Sequence, residues 1–205
     1  DQAGTGLGQD EGLISSGDSG GPAFIDGKVA GIASYTARLT RNGADPDIDG
    51  QGNSSFGEIA AWQRVSAYQQ WIDQSIRAQY SAAPTRPEDV LKAVPEGNGG
   101  TSHAYFLVQF SGERASNQTV SVDYVTRDGT ARAGEDYLAI GGTLILYDDE
   151  NQAAIPVEVI GDTVDEPDET FYLDVTNPMG GSFGTGIVQL TAVRTIIDDD
   201  GGVWA

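Results

Sequence analysis

The stretch that decides the fold is TVSVDYVTRDGTARAGEDY, residues 119–137. Thr119 to Thr126 is a run of valine, threonine and tyrosine with the composition of a β-strand, and it gives way to glycine- and aspartate-rich turn chemistry. Comparable runs lie on either side: Ala104 to Phe110 before it, then Gly142 to Tyr147, Ala154 to Ile160, Thr170 to Val175 and Ile187 to Ile197 after it. Strands at this spacing, separated by turn residues and without helical patterns, predict an all-β sandwich of immunoglobulin-like size.

Moving towards the amino terminus, SAAPTRP at residues 81–87 has two prolines and no apolar periodicity, so a linker is expected at 81–88. The sandwich then occupies 89–200, with 201–205 as a tail. Before the linker, Val65, Tyr68, Trp71, Ile72, Ile76 and Tyr80 recur at helical spacing and predict a helix over Val65 to Gln79. Pro22 to Ile25 and Val29 to Tyr35 read as strands joined at Asp26-Gly27, a hairpin signal. Residues 36–55 are polar and rich in Gly, Asn and Asp, which predicts a long surface loop. Residues 1–80 thus form a first unit.

Composition restricts the function. Thirty-one acidic residues against eleven basic ones give a formal charge of −20, which disfavours nucleic acid and anionic membrane surfaces and favours cations. No cysteine is present, so disulfides cannot staple either unit, and no apolar run approaches the ~20 residues that a membrane-spanning helix needs. The chain begins at Asp1 without a Met or a charged-then-apolar leader, and any targeting segment is expected to have been removed or to lie on sequence upstream.

Gly17-Asp18-Ser19-Gly20-Gly21-Pro22 places a serine hydroxyl on a tight glycine turn. The string resembles the nucleophile motif of the trypsin-like, or chymotrypsin-family, serine proteases. Gly31 to Tyr35 looks like that family's substrate-backbone strand, and Tyr68 to Ile72 like part of its terminal helix. The resemblance implies the second barrel of a chymotrypsin-like double β-barrel with a C-terminal helix. It implies Ser19 as catalytic nucleophile, the N–H groups of Gly17 and Ser19 as oxyanion hole, and Asp18 as partner of a new amino terminus. Leu13, Ser34, Tyr35 and Thr36 would then line the substrate site, with Leu13 at the pocket base arguing against an Arg or Lys preference. The catalytic His and Asp precede the serine in this family, whereas the one histidine here, His103, follows the linker and reads as an ordinary surface or strand residue. A separate N-terminal chain, held non-covalently, is therefore expected to supply both.

The second unit carries the strings Val122 to Ala131, Ala133 to Tyr137, Gly142-Thr143-Leu144, Ile160-Gly161-Asp162, Glu166 to Phe171 and Ile196 to Asp200. Together they resemble Calx-beta domains, in which carboxylates from separate loops at one end of the sandwich bind Ca²⁺. Hard cations take six to eight oxygens, and clustered carboxylates repel one another without one. The resemblance implies Ca²⁺ as cofactor and Glu96, Asp136, Asp162, Glu166, Asp198, Asp199 and Asp200 as its ligands, with Glu169 as a further candidate. Asp45, Asp47 and Asp49 have the oxygen spacing of a calcium loop, but Phe56 stands where its closing glutamate belongs.

These readings combine into a secreted, extracellular serine endopeptidase of bacterial type acting on protein or peptide substrates through an acyl-enzyme on Ser19, with a calcium-binding accessory domain. The competing expectation is a catalytically inactive calcium-dependent binding or adhesion protein. An intracellular calcium sensor is a third.

Overall fold

A computed structural model describes Ile14, residues 17–38, Gly43, Gly50 and residues 58–200. The chain divides into two compact units, Asp1–Asp73 and Gln74–Ala205.

In the first unit, β1 (Pro22–Ile25), β2 (Lys28–Arg38) and β3 (Glu58–Arg64) form an antiparallel sheet in the order β1-β2-β3. Asp26 and Gly27 both adopt positive φ, 50° and 74°, as a two-residue hairpin turn with the right-handed twist of its strands requires. β2 runs on to Arg38, past the expected loop boundary, because β3 offers it a partner from Gly31↔Arg64 to Arg38↔Glu58. A 3-10 turn, Val65–Tyr68, then leads into α1 (Gln69–Ala78), within the expected helix. The described residues of this unit make a three-stranded sheet, and a chymotrypsin-like double barrel is not supported.

The second unit contributes β4 (Ala93–Pro95), β5 (Gly100–Gln109), β6 (Val120–Asp128), β7 (Gly141–Leu146), β8 (Gln152–Gly161), β9 (Glu169–Met179) and β10 (Gln189–Ile197). One sheet has the order β4-β10-β9-β6-β7; the other pairs β5 with β8. Along β8 every second residue is buried, so Ala153, Ile155, Val157 and Val159 meet Ala104 and Phe106 of β5 and the inner face of the larger sheet. At the centre, the ring of Phe171 on β9 stacks on Tyr137 at 4.6 Å and meets Phe106 edge-on at 5.8 Å. Tyr137 keeps its hydroxyl satisfied by donating to Asp128 Oδ1 at 2.5 Å.

Three features of this frame bring acidic loops to one end. The parallel pairing of β4 and β10, with Ile197 opposite Pro95, sets Glu96 beside Asp198, and Glu96 N donates to Ile197 O at 3.1 Å. β8 ends at Gly161, where an added Cβ would lie 2.0 Å from Gly97 O and 2.6 Å from Glu96 O, so only glycine admits this approach. Ile160 N donates to Asp136 O at 2.9 Å, which ties the Asp136 loop to the same edge.

Candidate metal centre

Glu96, Asp198 and Asp200 each present a carboxylate oxygen within 4.8 Å of the other two. Glu96 is 6% exposed, and both its Oε1 and Asp200 Oδ2 are buried without a hydrogen-bond partner. A buried carboxylate oxygen with no donor costs several kcal/mol unless something positive approaches it. Two such oxygens in one cluster fit a hard divalent cation, which takes oxygen ligands only.

The loops hold these side chains through backbone hydrogen bonds. Asp198 Oδ2 accepts from Glu166 N at 3.0 Å and its Oδ1 from Asp200 N at 2.9 Å. Asp198 N in turn donates to Asp168 Oδ1 at 3.3 Å. Asp162 Oδ1 accepts from Val164 N at 2.7 Å, and Asp136 Oδ2 from Arg132 N at 2.7 Å. Asn98 Nδ2 donates to Asp200 Oδ1.

The charges respond to their crowding. Burial first, and then Asp162, Asp198, Asp200 and Glu166, push the Glu96 carboxyl from 4.5 up to about 7. Glu169 is likewise pushed up to about 7, by burial and then by the hydrogen bond it shares with Asp136. Desolvation and the neighbouring Asp136, Asp162 and Asp198 raise Glu166. Asp198 goes the other way, held down by the N–H groups of Asp200 and Glu166. The set therefore spans carboxylates that are ionised and carboxylates that retain a proton near neutrality, and a bound cation would displace those protons.

Of the residues expected to bind metal, Glu96, Asp198 and Asp200 form the compact cluster. Asp162 and Glu166 act on Glu96 electrostatically, and Asp136 acts on Glu166 and Glu169. Asp199 does something different: its Oδ1 accepts from Gly97 N at 2.9 Å and so closes the loop. Asp165, whose side chain hydrogen-bonds with Asp198, is not among the expected ligands, nor are Asp168 and Asn98. Asp165 and Asp168 stand in the same acidic run as Asp162 and Glu166, and that run was a usable signal.

In the first unit, Ser19 is exposed on a turn in which Gly21 N donates to Asp18 O at 2.9 Å and Gly20 N to Ala33 O at 3.0 Å. Gly17 has φ 105° there. Ser34 and Tyr35 are exposed on β2, Ser34 at a register shift, and Thr36 is half-buried. Leu13, Asp45, Asp47, Asp49 and Phe56 lie outside the described residues. In the second unit, His103 packs between Tyr80, edge-on at 5.4 Å, and Tyr105, stacked at 5.9 Å.

A β-sandwich whose loops gather carboxylates at one end, with buried oxygens left for a cation, defines the second unit as a cation-binding domain. Residues 99–200 match the family model of the Calx-beta domain, and this segment is a Calx-beta domain. Its relatives include human sodium/calcium exchanger 2, 37% identical over 97 residues, covering 41% of this chain and 10% of the exchanger. The Drosophila melanogaster sodium/calcium exchanger Calx is 36% identical over 85 residues, covering 42% of this chain and 9% of the exchanger. The chain thus spans about a tenth of the length of these relatives. Among solved structures, the calcium binding domain CBD12 of CALX1.1 is 33% identical, with a TM-score of 0.46 over 55% of this chain and 43% of that one.

Calcium, the cofactor expected from the carboxylates, accords with this family. The protease expectation is overturned. The family match is to a Calx-beta domain and these relatives are exchangers, so neither hydrolase activity nor an N-terminal partner chain bringing a catalytic His and Asp is supported. The glycine motif forms a turn, with Gly21 N bonded to Asp18 O and positive φ at Gly17 and Gly20.

Proposed function

We propose that the chain is a non-catalytic calcium-binding protein whose Calx-beta unit holds Ca²⁺ through Glu96, Asp198 and Asp200, with Asp162, Glu166 and Asp136 completing the acidic rim. The observation that carries this reading is the pair of buried, partnerless oxygens, Glu96 Oε1 and Asp200 Oδ2, inside a three-carboxylate cluster. The sequence relationship to sodium/calcium exchangers supports it.

Bound calcium supplies the positive charge that cancels the mutual repulsion of these groups. Glu96 leads from β4, Asp198 to Asp200 follow β10, and Asp162 follows β8, so the ligands belong to loops far apart in sequence. Ordering them together couples ion binding to the stability of that end of the sandwich. A ligand at a hundred times its Kd stabilises by about 2.7 kcal/mol.

Thermal melts in calcium and in chelator test the reading. Calcium should raise the melting temperature by several degrees, and Asp198→Asn with Asp200→Asn should abolish that increment. Equal melting temperatures in calcium and chelator would remove the proposal.

A further inference from the structure

The opposite end of the sandwich holds a second feature. The carboxylate loops sit where β8 ends at Gly161 and β10 at Ile197. By register, Val120↔Leu146 and Gln109↔Gln152 lie at the far end. There the two sheets leave a cavity of about 250 Å³, whose lining includes the buried Phe106, Val120, Leu144, Leu146, Leu173 and Val175. An apolar cavity of about 150 Å³ already admits a benzene ring, so this volume takes a larger apolar group. Met179 and Leu190, 67% and 47% exposed, belong to the same lining and mark the way in.

One member of the lining is charged. Arg194, on β10, is only 7% exposed, and among the described residues it makes no ion pair. Its Nε donates to Tyr105 O at 2.8 Å and its Nη1 to Val193 O at 2.6 Å, both neutral carbonyls, while the guanidinium lies 4.2 Å from the centre of the Phe106 ring. A guanidinium carries five N–H donors and stays charged inside proteins, so donors remain beyond these two. Burial lowers the Arg194 pKa, which marks a charge lacking compensation. A buried cation without a counter-ion is costly, and an anion delivered on an apolar body would offset that cost.

The geometry points to a binding site for a small amphipathic carboxylate, its alkyl or aryl body filling the cavity between the sheets and its carboxylate meeting Arg194. Tail and head are recognised by different means, so each can be tested alone. The site stands apart from the calcium proposal and survives the failure of that reading.

Calorimetric titration of the full chain with octanoate, below its micelle concentration, and in parallel with octanol, decides the matter. Octanoate should bind saturably at one site and at least tenfold more tightly than octanol, the advantage of a charge-assisted pair. Arg194→Met should weaken octanoate by about tenfold or more and leave octanol unchanged, whereas Arg194→Lys should recover part of the loss. Leu190→Trp, at an exposed position where folding is not at stake, should block both ligands. Circular dichroism melts report whether each variant folds. Failure of octanoate to saturate, equal affinity for octanol, or unchanged octanoate binding in a folded Arg194→Met variant would each overturn the inference.

Discussion

Replacing Glu96 by glutamine should make the calcium-free protein more stable at pH 8 and leave it unchanged at pH 4.5. The reason is the charge that the fold is obliged to hold. In the folded chain the Glu96 carboxyl sits at about 7 rather than 4.5, a difference worth on the order of 3 kcal/mol. The sign follows from proton binding: between those two values the folded state holds a proton that the unfolded state has released. Stability from this group is therefore fully present below about 4.5 and is lost as pH rises through about 7. Glutamine is close to the protonated acid in shape and carries no charge, so it removes most of the penalty above pH 7 while retaining the packing of a 6% exposed side chain. For a unit of this size 1 kcal/mol moves the melting temperature by about 4 °C, so a rise of several degrees is expected in chelator at pH 8. Calcium should then stabilise wild type but not Glu96→Gln. Circular dichroism melts of wild type and variant at both pH values, with chelator and with calcium, supply the comparison. A variant that melts lower than wild type in chelator at pH 8, or that keeps the full calcium increment, would refute the reasoning.

Two further substitutions probe the frame that positions the carboxylates. Gly161→Ala places a Cβ 2.0 Å from Gly97 O, so the 96–98 loop must move; a loss of about 3 kcal/mol in denaturant titration and a weaker calcium increment are expected, and wild-type behaviour would show that the loop has room. Phe171→Ala removes a fully buried ring that contacts both Tyr137 and Phe106, and it should cost about 3–5 kcal/mol in the same assay; a cost under about 1 kcal/mol would mean that the core is not centred there.

Much of the sandwich was legible because its strands bury one face. Val120–Asp128 and Gln152–Gly161 lie within a few residues of the runs read as strands, since their alternation is written in the side chains themselves. β4 left no such trace. Ala93–Pro95 is three residues long, ends in proline, and is a strand only because β10 offers it a parallel partner. β3 escaped for a similar reason, its short Ile59-Ala60-Ala61 run becoming a strand through pairing with β2.

The carboxylates were legible as a set, while their division of labour was not. Asp198, Asp199 and Asp200 look alike in sequence, yet backbone geometry sends Asp198 and Asp200 to the cluster and Asp199 to Gly97 N. The amino-terminal motif shows the opposite failure. Its glycines encode a turn that the structure contains, with positive φ at Gly17 and Gly20, but a turn is common to many chemistries and the reaction read from it was not supported.

Calcium binding itself is measured most directly by calorimetric titration of the chelator-treated chain at pH 7 in two buffers of different ionisation enthalpy. The account requires saturable binding with an enthalpy that differs between buffers, because Glu96 and Glu169, both near 7, must release protons as the cation enters. Saturable heat that is lost in Asp198→Asn, with net proton release, is the expected result. A flat titration, or binding unaffected by Asp198→Asn, would contradict it.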